Sequence, residues 1–151
     1  MSLDRRVVII GIDGATWIVI SSLIKQGLLP TFNKLIKHSA YGYLRSIIPP
    51  VTGGAWLSLA TGLNPGETGI IDFLKHEGNL TLRVVNSSDY RDKALWDLVG
   101  TMGYRVGIID YPMLYPAYPV NGFMLCSWGG SVSSYPKDLL NEASISPNDY
   151  D

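Results

Sequence analysis

Residues 6–14 read RVVIIGIDG, a β-branched apolar run that ends in Gly-Ile-Asp-Gly. A continuous apolar run of this length, closed by a turn, predicts a strand buried on both faces, as in a parallel sheet. In open α/β sheets, ligands bind beyond the carboxyl ends of the strands, which is where Asp13 falls. Gly14 follows it and permits close backbone approach. A carboxylate in that place suits a divalent metal. It equally suits the cap of a helix beginning near Ala15 or Thr16.

Working outward, residues 17–38 carry helical periodicity with a break near Gly27-Leu28-Leu29-Pro30. Pro30 suits the first turn of a second helix with Phe32, Leu35 and Ile36 on one face. Residues 41–48 (YGYLRSII) alternate as a strand does and stop at Pro49-Pro50. A short helix is expected through AWLSLATG, closed by Gly62, and Asn64-Pro65-Gly66-Glu67 is turn chemistry. Residues 80–85 predict a strand, and 92–102 predict an amphipathic helix with Leu95, Leu98 and Val99 inward. Residues 104–110 (YRVGIID) and 122–127 predict two further strands, joined by the loop YPMLYPAYP. Alternating strands and helices imply βαβ units and a mostly parallel sheet. Residues 129–151 show little periodicity beyond a short helical stretch at 136–143. The chain is therefore expected to hold the amino-terminal part of an α/β domain over 1–128 and an irregular tail over 129–151, with the domain continuing further.

Composition narrows the class. At 151 residues, 46% hydrophobic and 17% charged, with a net charge of −1, the chain is an ordinary packed sequence without the clustered cations of a broad nucleic-acid surface. Its one cysteine, Cys126, excludes an intrachain disulfide and a cysteine metal cage, and suits a reducing, cytoplasmic setting. Four apolar residues before Gly11 are too few for a secretory or membrane segment. The glycosylation patterns at Asn79 and Asn86 are read as chance matches on that ground.

Thr52 is the second candidate, because it stands at the start of a predicted helix. Its hydroxyl and the Gly53 and Gly54 amides would share a helix N-terminus, which favours phosphate. A threonine that caps the helix satisfies the same local pattern. Other readings of the Asp13 segment fail on single residues. The dinucleotide fingerprint needs glycine where Asp13 stands. A haloacid-dehalogenase-type motif needs aspartate where Gly11 stands, and a sugar-kinase-type loop is displaced by one because Gly14 directly follows Asp13.

The segments DGATW and LPTFNKLIKHSAYGYLRSIIPPVTGGAWLSLATGLNPGETGIIDF together resemble the type I phosphodiesterase/nucleotide pyrophosphatase family of the alkaline phosphatase superfamily. In that family the aspartate of the Ile-Asp-Gly segment binds a metal, which matches Asp13. Its nucleophilic threonine stands nine residues before the threonine of an Ala/Val-Thr-Gly-x-x-Pro-x-x-x-Gly segment. Counting back from Thr61 reaches Thr52. The resemblance implies an alkaline-phosphatase-like fold and a dinuclear centre, commonly zinc, with Asp13 and Thr52 as ligands. It implies a threonyl-phosphate intermediate on Thr52, and substrates that are small phosphate esters or nucleotides. A phosphomonoesterase or phosphonate hydrolase on the same scaffold is the near alternative, and a binding module with an incomplete metal site is the distant one. The family's other ligands are aspartates and histidines in the later part of a longer chain. His38 and His76 match none of those motifs, so this chain alone is expected to be inactive. Asp110 ends a strand without a family role, and Asp72 and Asp89 read as turn residues.

Overall fold

The computed structural model describes residues 6–78, 80–128 and 131–144, which divide between two compact units, Met1–Arg45 and Ser46–Asp151. In the first unit the apolar run Val7–Ile10 is irregular and 70–84% exposed, and it joins no ladder among the described residues. The strand expected there is absent because a both-face-buried strand exists only with partners on its edges and layers on its faces. Asp13 and Gly14 form a turn, with Gly14 at φ +66°. Helix α1 (Trp17–Lys25) begins at Thr16, whose hydroxyl accepts from the Val19 N–H at 3.4 Å. Gly27 at φ +75° ends it, and helix α2 (Pro30–His38) starts with proline in its first turn. The strand expected over 41–48 is also missing. Tyr41 and Tyr43 instead flank Trp17, with ring centroids at 5.3 and 6.2 Å, while the Trp17 indole donates to the Gly42 carbonyl at 2.9 Å.

The second unit contains the core. Helix α3 (Thr52–Thr61) is followed by the single turn α4 (Pro65–Thr68). Strands β1 (Leu74–His76) and β2 (Leu82–Val84) form an antiparallel pair in which Leu74 faces Val84 and His76 faces Leu82. After a 3₁₀ turn (Ser87–Asp89) comes helix α5 (Leu95–Thr101). Strand β3 (Val106–Ile109) runs parallel to β4 (Gly122–Cys126), and β4 runs antiparallel to β5 (Ser133–Tyr135). The class is mixed α/β, as the pattern implied, although parallel pairing among the described residues is confined to β3 and β4. Within the stretch expected to be an irregular tail, β5 extends this sheet and α6 (Leu139–Glu142) follows it. Three residues are enough for a ladder when a buried neighbour, here Met124–Cys126, supplies the edge.

Leu57, Ile70, Val85, Tyr90, Met113, Leu114 and Met124 are 0–1% exposed and form the centre of this unit. The loop YPMLYPAYP plugs it, since Met113, Leu114 and Tyr118 all turn inward. On α5 the buried residue is Trp96, whereas Leu95 and Leu98 are 46% and 54% exposed. The expected Leu95–Leu98 face lost to an aromatic cluster. Trp96 stacks with Tyr90 and meets Tyr111 edge-on at 5.0 Å, while its indole donates to the Tyr118 hydroxyl at 2.7 Å. Trp buries more area than Leu and brings its own donor, so its position sets the helix phase.

Candidate phosphate site at the start of α3

The length of α3 follows from its ends. Gly62 adopts φ +72°, and its N–H reaches the Ser58 carbonyl, which closes the helix. Thr61 donates its hydroxyl to the Leu57 carbonyl at 2.8 Å and accepts from the Leu63 N–H at 3.2 Å. Asn64 then opens α4 with a reciprocal box, accepting from Gly66 N and Glu67 N while Glu67 accepts from Asn64 N at 2.9 Å. Gly69, at φ +70°, ends that turn. The residues of ATGLNPGETG are thus spent on stopping one helix and starting another, and the nine-residue interval from Thr52 to Thr61 is the length of α3 itself.

Thr52 has no such local duty. The N-cap of α3 is Val51, without a side-chain cap bond, and Thr52 is the first helical residue, half-buried. The capping alternative for Thr52 therefore does not describe this helix. Among the described residues, the N–H groups of Thr52, Gly53 and Gly54 meet no acceptor, as expected of a first helical turn. No acidic residue occupies that turn. A free hydroxyl, unpaired donors and the positive end of the helix dipole therefore lie together.

Gly53 and Gly54 also serve packing. A Cβ on Gly53 would stand 2.6 Å from the Asp72 carbonyl carbon and 2.9 Å from the Phe73 nitrogen. One on Gly54 would stand 2.6 Å from the Ile71 oxygen. The first turn of α3 thus lies directly on the 71–73 backbone, which only glycine permits. The sequence pattern singled these glycines out for their amides and did not reveal this contact. Tyr111 fixes the helix further along, donating to the Trp56 carbonyl at 2.7 Å with its ring edge-on to Trp56 at 5.1 Å.

Asp13 belongs to the other unit, which is described separately from the α3 site. It is exposed, and Thr16 caps α1 in its place, so the capping alternative fails for Asp13 as well. It makes no hydrogen bond among the described residues. His38 lies exposed in the last turn of α2, and His76 is exposed on β1. Asp110, at φ +50°, accepts from the Ser127 N–H at 3.2 Å and hydroxyl at 2.8 Å, tying the carboxyl ends of β3 and β4 together. Asp89 lies in the 3₁₀ turn, as expected of a turn residue, and is buried there. Burial alone would raise its pKa, but bonds from Arg83, the Asn86 N–H and Lys75 outweigh this and hold it at about 2. Its partners stand at 2.7 Å (both guanidinium nitrogens) and 3.0 Å (Lys75), which closes it to other ligands. Burial pushes the Cys126 thiol up to about 11, as expected of an inert interior cysteine. Among the described residues no group of three or more His, Cys, Asp or Glu side chains is placed to hold a metal ion. Among the described residues, no helix is long and apolar enough to cross a membrane.

A family model described as "Type I phosphodiesterase / nucleotide pyrophosphatase" matches residues 7–150. No curated protein matches the chain, and neither does any solved structure.

Proposed function

Because the chain belongs to the type I phosphodiesterase/nucleotide pyrophosphatase family, whose members are hydrolases of phosphate esters and normally depend on divalent metal ions, we propose that Thr52 is its nucleophile in the cleavage of a phosphodiester or pyrophosphate bond. The observation that carries this reading is the Thr52 hydroxyl, unengaged among the described residues, at the open N-terminus of α3. The Thr52 oxygen bonds to phosphorus as the bond to the leaving oxygen breaks and that oxygen departs with the proton, leaving a threonyl phosphate that still carries the substrate's other ester group. Water then displaces Thr52, releasing the phosphate product and restoring the hydroxyl. The amides of Gly53 and Gly54 donate to the non-bridging oxygens as charge gathers there. Divalent metal ions, which we take to be zinc at two positions, would supply further charge stabilisation and acidify the hydroxyl when bound. Asp13 and Thr52 are the oxygen donors this chain would contribute. Two donors are fewer than a zinc shell requires, and the described residues hold no cluster of three His, Cys, Asp or Glu side chains that would complete one. The substrate is a small phosphate ester or nucleotide, and the single buried thiol of Cys126 supports a cytoplasmic setting.

The test is hydrolysis of bis-p-nitrophenyl phosphate by the protein expressed from its complete open reading frame, supplied with Zn²⁺ or Mn²⁺. Thr52→Ala should lower kcat at least about a thousandfold, as loss of a covalent nucleophile does. Turnover retained in Thr52→Ala would remove the assignment. Comparison with p-nitrophenyl phosphate separates diesterase from monoesterase action.

A further inference from the structure

Neither α3 nor the segment 46–51 that leads into it carries a charged side chain, so the attraction these residues offer phosphate comes from amides and the helix dipole. A full charge comes instead from Asp72, on whose backbone the first turn rests. Its carbonyl carbon and the Phe73 nitrogen would stand 2.6 and 2.9 Å from a Cβ on Gly53, and the same Phe73 N–H donates to Asp72 Oδ1 at 2.8 Å. The carboxylate is therefore tied to an atom that touches the turn beside Thr52. It accepts none of that turn's unpaired N–H groups. It is exposed, and among the described residues no cation pairs with it. The nearby Lys75 of β1 is held by Asp89 at 3.0 Å. Asp72 thus leaves the anion position open while keeping a negative charge next to it.

We propose that Asp72 is a specificity-determining residue whose charge disfavours a phosphoryl group bearing two negative charges relative to one bearing a single charge. This rests on the reading of the α3 N-terminus as the phosphate site and adds which charge form that site discriminates against. A phosphate with one ester link carries close to two charges above neutral pH, whereas one with two ester or anhydride links carries one. Both meet the same carboxylate, so the dianion takes about twice the repulsion. The repulsion acts on the ratio of the two, whatever their absolute affinities.

The experiment is equilibrium binding of methyl phosphate and dimethyl phosphate at about pH 8, where the first is a dianion and the second a monoanion. It is read by calorimetry at one fixed Zn²⁺ concentration, on the protein expressed from its complete open reading frame. Asp72→Asn keeps the Oδ1 acceptor for the Phe73 N–H and removes only the charge. It should tighten methyl phosphate about threefold to tenfold relative to dimethyl phosphate, the effect of one unit charge a short distance away in a wet site. Asp72→Glu, which keeps the charge, should stay near the ratio of the unsubstituted protein. Raising ionic strength from about 0.01 M to about 1 M should erase the difference that Asp72→Asn makes, since the screening length falls from about 30 Å to about 3 Å. An unaltered ratio in Asp72→Asn, equal loss of both ligands, or a shift that salt leaves in place overturns the proposal. The Asp72-dependent ratio should be the same in a Thr52→Ala background, so failure of the charge effect and failure of the nucleophile are read separately.

Discussion

Gly53 shows how much one hydrogen atom decides. Its missing Cβ lets α3 rest on the Asp72 and Phe73 backbone, and nothing flexible stands in the way to yield. Gly53→Ala should therefore cost about 1–3 kcal/mol through overpacking, measured by urea unfolding. The same change should move the Thr52 hydroxyl, so kcat should fall even though no side chain that touches phosphate is removed. Asp89 is the complementary case, a carboxylate held by Arg83 and Lys75. Its pKa in the folded protein lies below the ordinary 3.8, at about 2, so its contribution is complete above roughly pH 4 and is lost as pH falls toward 2. That contribution is about 2 kcal/mol. Urea midpoints between pH 5 and pH 2 should show this loss, and Asp89→Asn should lack that component. Thr52 was singled out in the sequence by its distance from Thr61, and its place at the start of α3 was legible there. The turn at Asp89 was legible too, but its burial was not, because its partners Lys75 and Arg83 come from a separate hairpin.

Helix ends were the most readable elements, since their signals are local. Gly62, Asn64, Glu67 and Gly69 act where turn and cap chemistry places them. Asn64→Ala should cost about 1 kcal/mol by removing the side-chain cap of α4 and the bond its amide donates to Glu67, measured by thermal or urea unfolding. The two candidates at Asp13 and Thr52 were ambiguous between cap and site at the sequence level. Structure removes the cap reading from both, because Thr16 and Val51 take those positions. Strands were less readable, since a strand is defined by its neighbours. RVVIIGI has the composition of a buried strand, yet it finds no ladder among the described residues. Conversely, Leu74–His76 forms a strand only because Leu82–Val84 pairs with it. The face of α5 was misjudged for the same reason: Trp96 is turned inward by Tyr90, Tyr111 and Tyr118, which are distant in sequence.

On the scale of the whole molecule, the core and the candidate site share their supports. Tyr111 bonds α3 and touches Trp56, Tyr90 and Trp96, so the loop that fills the interior also holds the helix bearing Thr52. Leu114, fully buried in that loop, should cost about 2–5 kcal/mol when replaced by alanine, as read by urea unfolding. The mixed α/β class and the family were both legible before any coordinates, since they rest on alternation of elements and on a motif whose spacing is one helix long. Metal ligation was not, because ligands are brought together by topology rather than by neighbouring sequence. The central claim is that Thr52 takes the phosphoryl group. It is tested most directly by acid-quenching the protein, expressed from its complete open reading frame, during turnover of bis-p-nitrophenyl phosphate and mapping the retained p-nitrophenyl phosphoryl group by peptide mass spectrometry. The p-nitrophenyl phosphoryl group on the peptide containing Thr52, absent in Thr52→Ala, is the predicted result; turnover with that group on another residue would contradict it.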